Sequence, residues 1–166
     1  MEISFGPKGT VQFNDATLLF RNFEGRKSMY NNEGDRNFHI RIDDPDQAEM
    51  LKEHGWNVAI KEYDDGYRMS LKVKLAFKER EDGRVTGPNA YLWSGNNRTT
   101  LDKDSISCHD HIEIEAADLD IRPYDWERNG RSGRTAWLNA IEVIQKVDRF
   151  QARYEADMGR EEKLPF

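Results

Sequence analysis

Tyr67–Phe77 carries Met69, Leu71, Val73, Leu75 and Phe77 at every second position, with Arg68, Ser70, Lys72 and Lys74 between them. Side chains of a strand point alternately to its two faces, so the stretch reads as a strand with one apolar and one basic face. Phe38-His39-Ile40-Arg41-Ile42 follows the same rule, with a core face and a face carrying His39 and Arg41. Trp56–Tyr63 alternates as well, and Asp64-Asp65-Gly66 is a turn that folds it onto Tyr67–Phe77 as a hairpin.

Around this hairpin the chain offers more strands than helices. Val11–Phe23 mixes β-branched and aromatic residues and reads as a strand, followed by a polar, glycine-containing loop over Glu24–Asp35. Asp44-Pro45-Asp46-Gln47 is a helix start, with Asp44 as cap, Pro45 in the first turn and Gln47 placed to close a capping box. Gly55 ends that helix after about ten residues. Pro88–Ser94 and Ile112–Ile121 read as strands, Arg122–Gly133 as a long turn-rich loop, and Arg134–Val147 as a strand buried on both faces. Phe150, Tyr154 and Met158 have the spacing of a terminal helix. Five to seven strands with one internal helix predict a mainly β fold, a small β-barrel or sandwich with long polar loops, of which the oligonucleotide-binding (OB) type is one member. No repeat or linker divides the chain, so residues 1–153 are expected to form one domain, with 154–166 an acidic C-terminal tail ending in Leu-Pro-Phe.

The 166 residues include 25 Lys and Arg against 31 Asp and Glu, a net charge of −6 that argues at first against a polyanionic partner. The charge is segregated, however. Residues 43–65 and 99–120 each sum to −6, whereas residues 66–98 sum to +4 and residues 121–153 to +3. What binds is a local face, not the total. No apolar run approaches the roughly 18 residues of a membrane span, and Met1–Thr10 contains no apolar signal core, so a cytoplasmic location is expected. Cys108 is the sole cysteine, which excludes an internal disulfide framework.

Several clusters could carry chemistry. In an extended strand, His109 and His111 of Cys108-His109-Asp110-His111 would share a face and could share a metal, but no second cluster completes a tetrahedral site. Asp118, Asp120, Asp125 and Glu127 could hold Mg²⁺ for nuclease chemistry, yet nothing marks the further lysine or carboxylate such a site needs. No phosphate-binding glycine loop or nucleophile elbow is present. The expectation is therefore no enzyme, no metal and no cofactor.

Basic residues interleaved with aromatics are the stronger pattern. Arg21, Arg26, Lys27, Arg36, Arg41, Lys72, Lys74, Arg98, Arg122, Arg131 and Arg134 are candidate phosphate contacts. Tyr30, Trp93, Tyr124 and Trp126, in or beside polar loops, are candidate stacking surfaces, while Phe38, Trp56, Phe77 and Trp137 read as core. Cations that track a backbone beside rings on which bases stack are how single-stranded nucleic acid is held without sequence preference. The terminus, with Glu161 and Glu162 ahead of Leu164, Pro165 and Phe166, resembles the partner-docking tip of bacterial single-stranded DNA-binding proteins.

Five blocks carry a wider resemblance: Asn22-Phe23-Glu24-Gly25-Arg26, Gly34-Asp35-Arg36-Asn37-Phe38, Gly55-Trp56-Asn57-Val58, Gly87-Pro88-Asn89-Ala90-Tyr91-Leu92 and Asp118-Leu119-Asp120-Ile121-Arg122-Pro123-Tyr124-Asp125-Trp126-Glu127. Over roughly residues 10–150 the chain resembles the phage and prophage single-stranded DNA-binding proteins. The resemblance implies an OB-type barrel that coats single-stranded DNA in phage replication or recombination, in the host cytoplasm, with no catalytic step. Replication or recombination proteins docked on the tail are the expected protein partners, and a homo-oligomer is compatible with the sequence. The alternatives are a protein-interaction adaptor on the same barrel, with the tail as its working end, and a Mg²⁺-dependent nuclease.

Overall fold

The structure, a computed structural model, describes residues 1–147. Twelve strands and one α-helix follow in order: β1 (Glu2–Phe5), β2 (Val11–Ala16), β3 (Leu18–Asn22), β4 (Arg36–Ile42), α1 (Pro45–Glu53), β5 (Val58–Tyr63), β6 (Gly66–Leu75), β7 (Lys78–Glu79), β8 (Val85–Thr86), β9 (Asn89–Ser94), β10 (Asn97–Leu101), β11 (Ile114–Arg128) and β12 (Arg131–Gln145). The sheet runs β1-β2-β11-β12-β6-β4-β3, with β5 beside β6, β9 beside β12 and β10 beside β9. Among the described residues no ladder joins β3 back to β2. The two are one bent stretch, interrupted at Thr17, whose first half pairs with β11 and whose second half pairs with β4. A strand that bends from one end of a sheet to the other, followed by two antiparallel strands and a final strand parallel to the third, is the partly open OB-type barrel.

The alternation read in the sequence sets the two faces of β4 and β6. Met69, Leu71, Val73 and Leu75 are buried with Phe38, Ile40 and Ile42 opposite them, while Lys72 and Lys74 are exposed. Phe23 stacks on Phe38 with ring centroids 4.9 Å apart, and Phe13, Trp56, Ile121 and Ile141 join the same core. At the helix, Asp44 accepts from the Asp46 N–H at 2.9 Å, and Gly55, at φ +88°, supplies the stop. Gln47 closes no capping box; its amide donates to the Met1 carbonyl.

Four expectations are corrected. Val11–Phe23 is two strands, because the chain must turn from one end of the sheet to the other. Arg122–Gly133 is no loop: β11 and β12 continue through it and reverse at Asn129-Gly130, both at positive φ, the pairing that a tight hairpin turn demands. Trp137 and Phe77 are only partly buried. The strand count exceeds seven because β1, β7, β8 and β10 were not read from the sequence. The helix expected around Phe150–Met158, the 153/154 domain boundary and the tail residues Glu161, Glu162, Leu164, Pro165 and Phe166 lie outside the described residues. No helix among the described residues is long and apolar enough to cross a membrane.

Candidate functional site

Register aligns four side chains across the outer face of the barrel. Asn37 of β4 pairs with Lys74 of β6, Lys74 with Trp137 of β12, and Trp137 with Arg122 of β11. Directly paired residues project to the same side, so the four form a row about 14 Å across at the usual strand spacing. The Arg122 guanidinium carbon lies 5.8 Å from the Trp137 ring centroid. One step along, His39 pairs with Lys72. His39 shares a 3.0 Å hydrogen bond with the Ser70 hydroxyl, and burial, with the Lys72 charge beside it, pushes its pKa below the usual imidazole value.

Above this row opens a cavity of about 1020 Å³. Lys74, Lys78, Arg122 and Arg128 bring four cations to its wall, and Tyr124, Trp126 and Trp137 bring three rings. Among the described residues, none that lines it is acidic. Lys74 is shared with two neighbouring cavities of about 330 and 580 Å³, the first reaching Tyr30 and Arg36 and the second reaching Trp56 and Arg134. Lys74 thus lies on the boundary of all three.

Two arms frame the floor. The β11–β12 hairpin carries Tyr124 and Trp126 beyond the barrel. Trp126 lies flat over its cross-strand partner Gly133, where a Cβ would stand 2.5 Å from the indole, so only glycine admits the ring there. Arg134 braces the arm: Nε and Nη2 donate to the Asp125 carboxylate, Nη1 donates to the His54 carbonyl, and the guanidinium lies 5.3 Å from the Trp56 ring centroid. Hydrogen bonding from Arg134 holds Asp125 below the usual carboxylate pKa.

The second arm is the stretch between β3 and β4. Asn22 Oδ1 accepts from Gly25 and Arg26 N–H, the Asn31 amide donates to the Arg26, Asn32 and Asp35 carbonyls, and Asn37 donates to Asn31 Oδ1. Gly25, at φ +76°, packs against Gly34 so closely that a Cβ would meet its carbonyl carbon at 2.9 Å. Asp110 ties the start of this arm to the barrel by accepting from Phe23 and Glu24 N–H at 2.8 and 3.0 Å. The arm presents Met29 and Tyr30, the latter 92% exposed.

Of the sequence candidates, the structure brings together Tyr30, Lys72, Lys74, Arg122, Tyr124 and Trp126, with Arg36 and Arg134 in the walls. Others lie elsewhere or are engaged. Arg21 donates from one nitrogen to the His109 and Ile112 carbonyls. Arg36 donates to the Phe23 and Lys103 carbonyls and lies over Phe77. Arg41 pairs with Asp43, and Arg26 with Glu24. Arg98 pairs with Glu142, which also accepts from the Trp93 indole, so Trp93 and Arg98 form a cluster on β9–β10 away from the row. Lys27 and Arg131 are exposed, the latter at the tip of the hairpin. Sequence reasoning missed Lys78, Arg128 and Trp137. The alternation of β12 could have placed Trp137 outward, since it sits between the buried Ala136 and Leu138.

The remaining clusters have other partners. Ile106–Asp110 is a 3₁₀ turn, not a strand, so His109 and His111 share no face: His109 is buried with neither ring nitrogen hydrogen-bonded, while His111 is exposed. Burial lowers the His109 pKa to about 4 and raises that of Cys108. Asp118 accepts from Asp15 N–H, Asp120 from Asn139 and Asp125 from Arg134. No group of three metal-ligating side chains occurs among the described residues.

A family model described as "Putative phage ssDNA-binding domain" matches residues 4–163. Among solved structures, the chain is similar to the single-stranded DNA-binding protein of bacteriophage Enc34, at 12% identity and TM-score 0.55 over 92% of this chain and 99% of that one. It is also similar to the same protein in complex with ssDNA, at 12% identity and TM-score 0.54 over 87% and 90%. The C-terminally truncated form aligns at 14% identity and TM-score 0.50 over 86% and 88%. At such identities these likenesses speak for the fold. No curated protein matches the sequence.

Proposed function

Because the chain belongs to the phage single-stranded-DNA-binding domain family, we propose that a DNA single strand lies along the row Asn37–Lys74–Trp137–Arg122, between the two arms. The observation that carries this reading is the large cavity with four cations, three rings and no carboxylate among the described residues. Lys74, Lys78, Arg122 and Arg128 neutralise phosphates, and Tyr124, Trp126 and Trp137 offer stacking faces. Every base has a π-face, so stacking holds a strand without reading its sequence. The place agrees with the OB type, whose second and third strands and flanking loops form the oligonucleotide face. Those strands are β4 and β6 here, flanked by the same two arms.

On this reading the protein acts by binding, not by catalysis. It coats exposed strands in the host cytoplasm during phage replication or recombination, and the acidic tail with Glu161, Glu162, Leu164, Pro165 and Phe166 docks partner proteins.

Fluorescence titration with a dT oligonucleotide at a series of salt concentrations tests the site. Binding should weaken with salt at a slope of about −0.7 per phosphate contact. Trp126→Ala should lose roughly 1–3 kcal/mol of binding with the thermal transition retained. Salt-independent binding, or full affinity in Trp126→Ala, would overturn the assignment. Deleting Leu164–Phe166 should leave DNA binding unchanged or tighter, since an anionic tail competes for a cationic groove; loss of binding would favour the adaptor reading.

A further inference from the structure

Strand β6 has a second set of neighbours. One edge pairs with β4 over Met69–Leu75; the other is shared, with β5 opposite Gly66–Leu71 and β12 opposite Val73 and Lys74. The outward line Arg68, Ser70, Lys72, Lys74 therefore leaves the main cavity and runs about 20 Å to the β5–β6 hairpin at the usual rise per residue. There a further cavity of about 530 Å³ opens, again without an acidic lining residue among the described residues. It shares Tyr30, Asn31, Asn37 and Lys72 with the cavity beside Tyr30, so the surface is continuous with the site described above.

Three features there favour a ligand. Lys61 and Arg68 stand directly opposite each other across β5–β6, an arrangement that opposes strand pairing. Neither makes an ion pair among the described residues, and both flank the Tyr63 ring, at 5.5 and 4.9 Å from its centroid. Across the cavity Phe20 is 65% exposed, with its ring edge-on to His39 at 5.2 Å. Its φ is +51°, an outlier for a bulky residue, and it falls where the β3–β4 register shifts between Leu19 and Asn22, a bulge of the kind that re-aims a side chain beside a binding site. An aromatic ring turned outward by the bulge, facing two cations that make no ion pair among the described residues, has the chemistry to take a base and its phosphates.

We propose that the Phe20–Tyr63 cavity is a second station for the same DNA strand, in which Lys61 and Arg68 take phosphates and Phe20 and Tyr63 hold a base after the strand passes Lys72. This rests on the proposed single-strand reading and deepens it: the protein should distinguish strands by length. The test is a length series of dT oligonucleotides against the wild-type chain and K61Q/R68Q. Oligonucleotides that fill only the main cavity should bind both equally. Longer ones should bind the variant roughly tenfold more weakly, with a salt slope reduced by about 1.4 for two lost contacts. Phe20→Asn, a residue that tolerates positive φ, should lose roughly fivefold or more on long strands alone.

Equal loss at every length, or none at any length, overturns the second station while leaving the main site standing. A loss of self-association in sedimentation, with DNA affinity unchanged, overturns it too and assigns the surface to a second copy of the chain. If the wild-type chain binds no oligonucleotide of any length, it is the single-strand reading that fails.

Discussion

The outer face of β4, β6, β11 and β12 and the turn around Ile106–Asp110 use the same residue types in opposite ways. On the outer face Lys72, Lys74 and Arg122 make no ion pair among the described residues, and His39 faces a cavity. At the turn Arg21 is clamped between two carbonyls, Asp110 holds two backbone N–H groups and His109 is sealed in the core. One region keeps its polar groups available; the other closes them off to fix the arm that carries Tyr30. The difference teaches that a basic residue is informative about binding only when its own backbone does not supply it with acceptors.

Arg21→Ala breaks the closed region most directly. Two charge-assisted hydrogen bonds to carbonyls disappear, and stability should fall by about 3 kcal/mol. Chemical denaturation would measure this, while the salt slope of DNA binding should stay as in the wild type. A changed slope would move Arg21 into the open set.

His109 gives a pH handle of similar size. His109 has a folded pKa of about 4 against an ordinary value of 6.5, so between these values the unfolded chain binds more protons than the folded one. Stability is full above pH 6.5 and falls by roughly 3 kcal/mol as the pH drops to about 4. His109→Phe, placing a ring of similar shape beside Phe23, should flatten that part of the profile. An unchanged profile would assign the acid loss to other groups.

Arg134 stands between the regions: it lines the site, yet all three of its donating nitrogens are engaged. Arg134→Lys keeps the charge and loses the fork, so the expected outcome is a loss of about 1 kcal/mol in stability with an unaltered salt slope. A lowered slope would show that the guanidinium leaves Asp125 for a phosphate.

How much of this was legible depended on the element. Period-two alternation placed Lys72 and Lys74 outward on β6 and His39 outward on β4, because a strand has only two faces and the apolar one must be buried. The same logic failed for Trp137, whose size suggested core although its neighbours Ala136 and Leu138 already filled that side. The β11–β12 arm was obscured by composition: arginine, glycine and asparagine read as loop, and the Asn129-Gly130 turn signal was lost among them. Arg21, Arg41, Arg98 and Trp93 could not be sorted from the sequence, since their partners come from residues 2 to 91 positions away or from another strand. Alternation reports which face a residue occupies; only tertiary contacts report whether its charge is already answered.

The smallest effect is the most discriminating. Lys74 is exposed at the centre of the row, lines all three cavities and has no carboxylate within 4.0 Å among the described residues. Lys74→Gln removes one charge from an exposed, outward position, so folding should be unaffected to within about 0.5 kcal/mol. Binding should keep its sequence tolerance and lose about 0.7 from the salt slope, the signature of one phosphate contact. Arg98→Gln, a cation answered by Glu142, should leave the slope alone. If the two variants exchange behaviour, with Arg98 lowering the slope and Lys74 not, the strand runs over β9–β10 and the open and closed faces have been assigned the wrong way round.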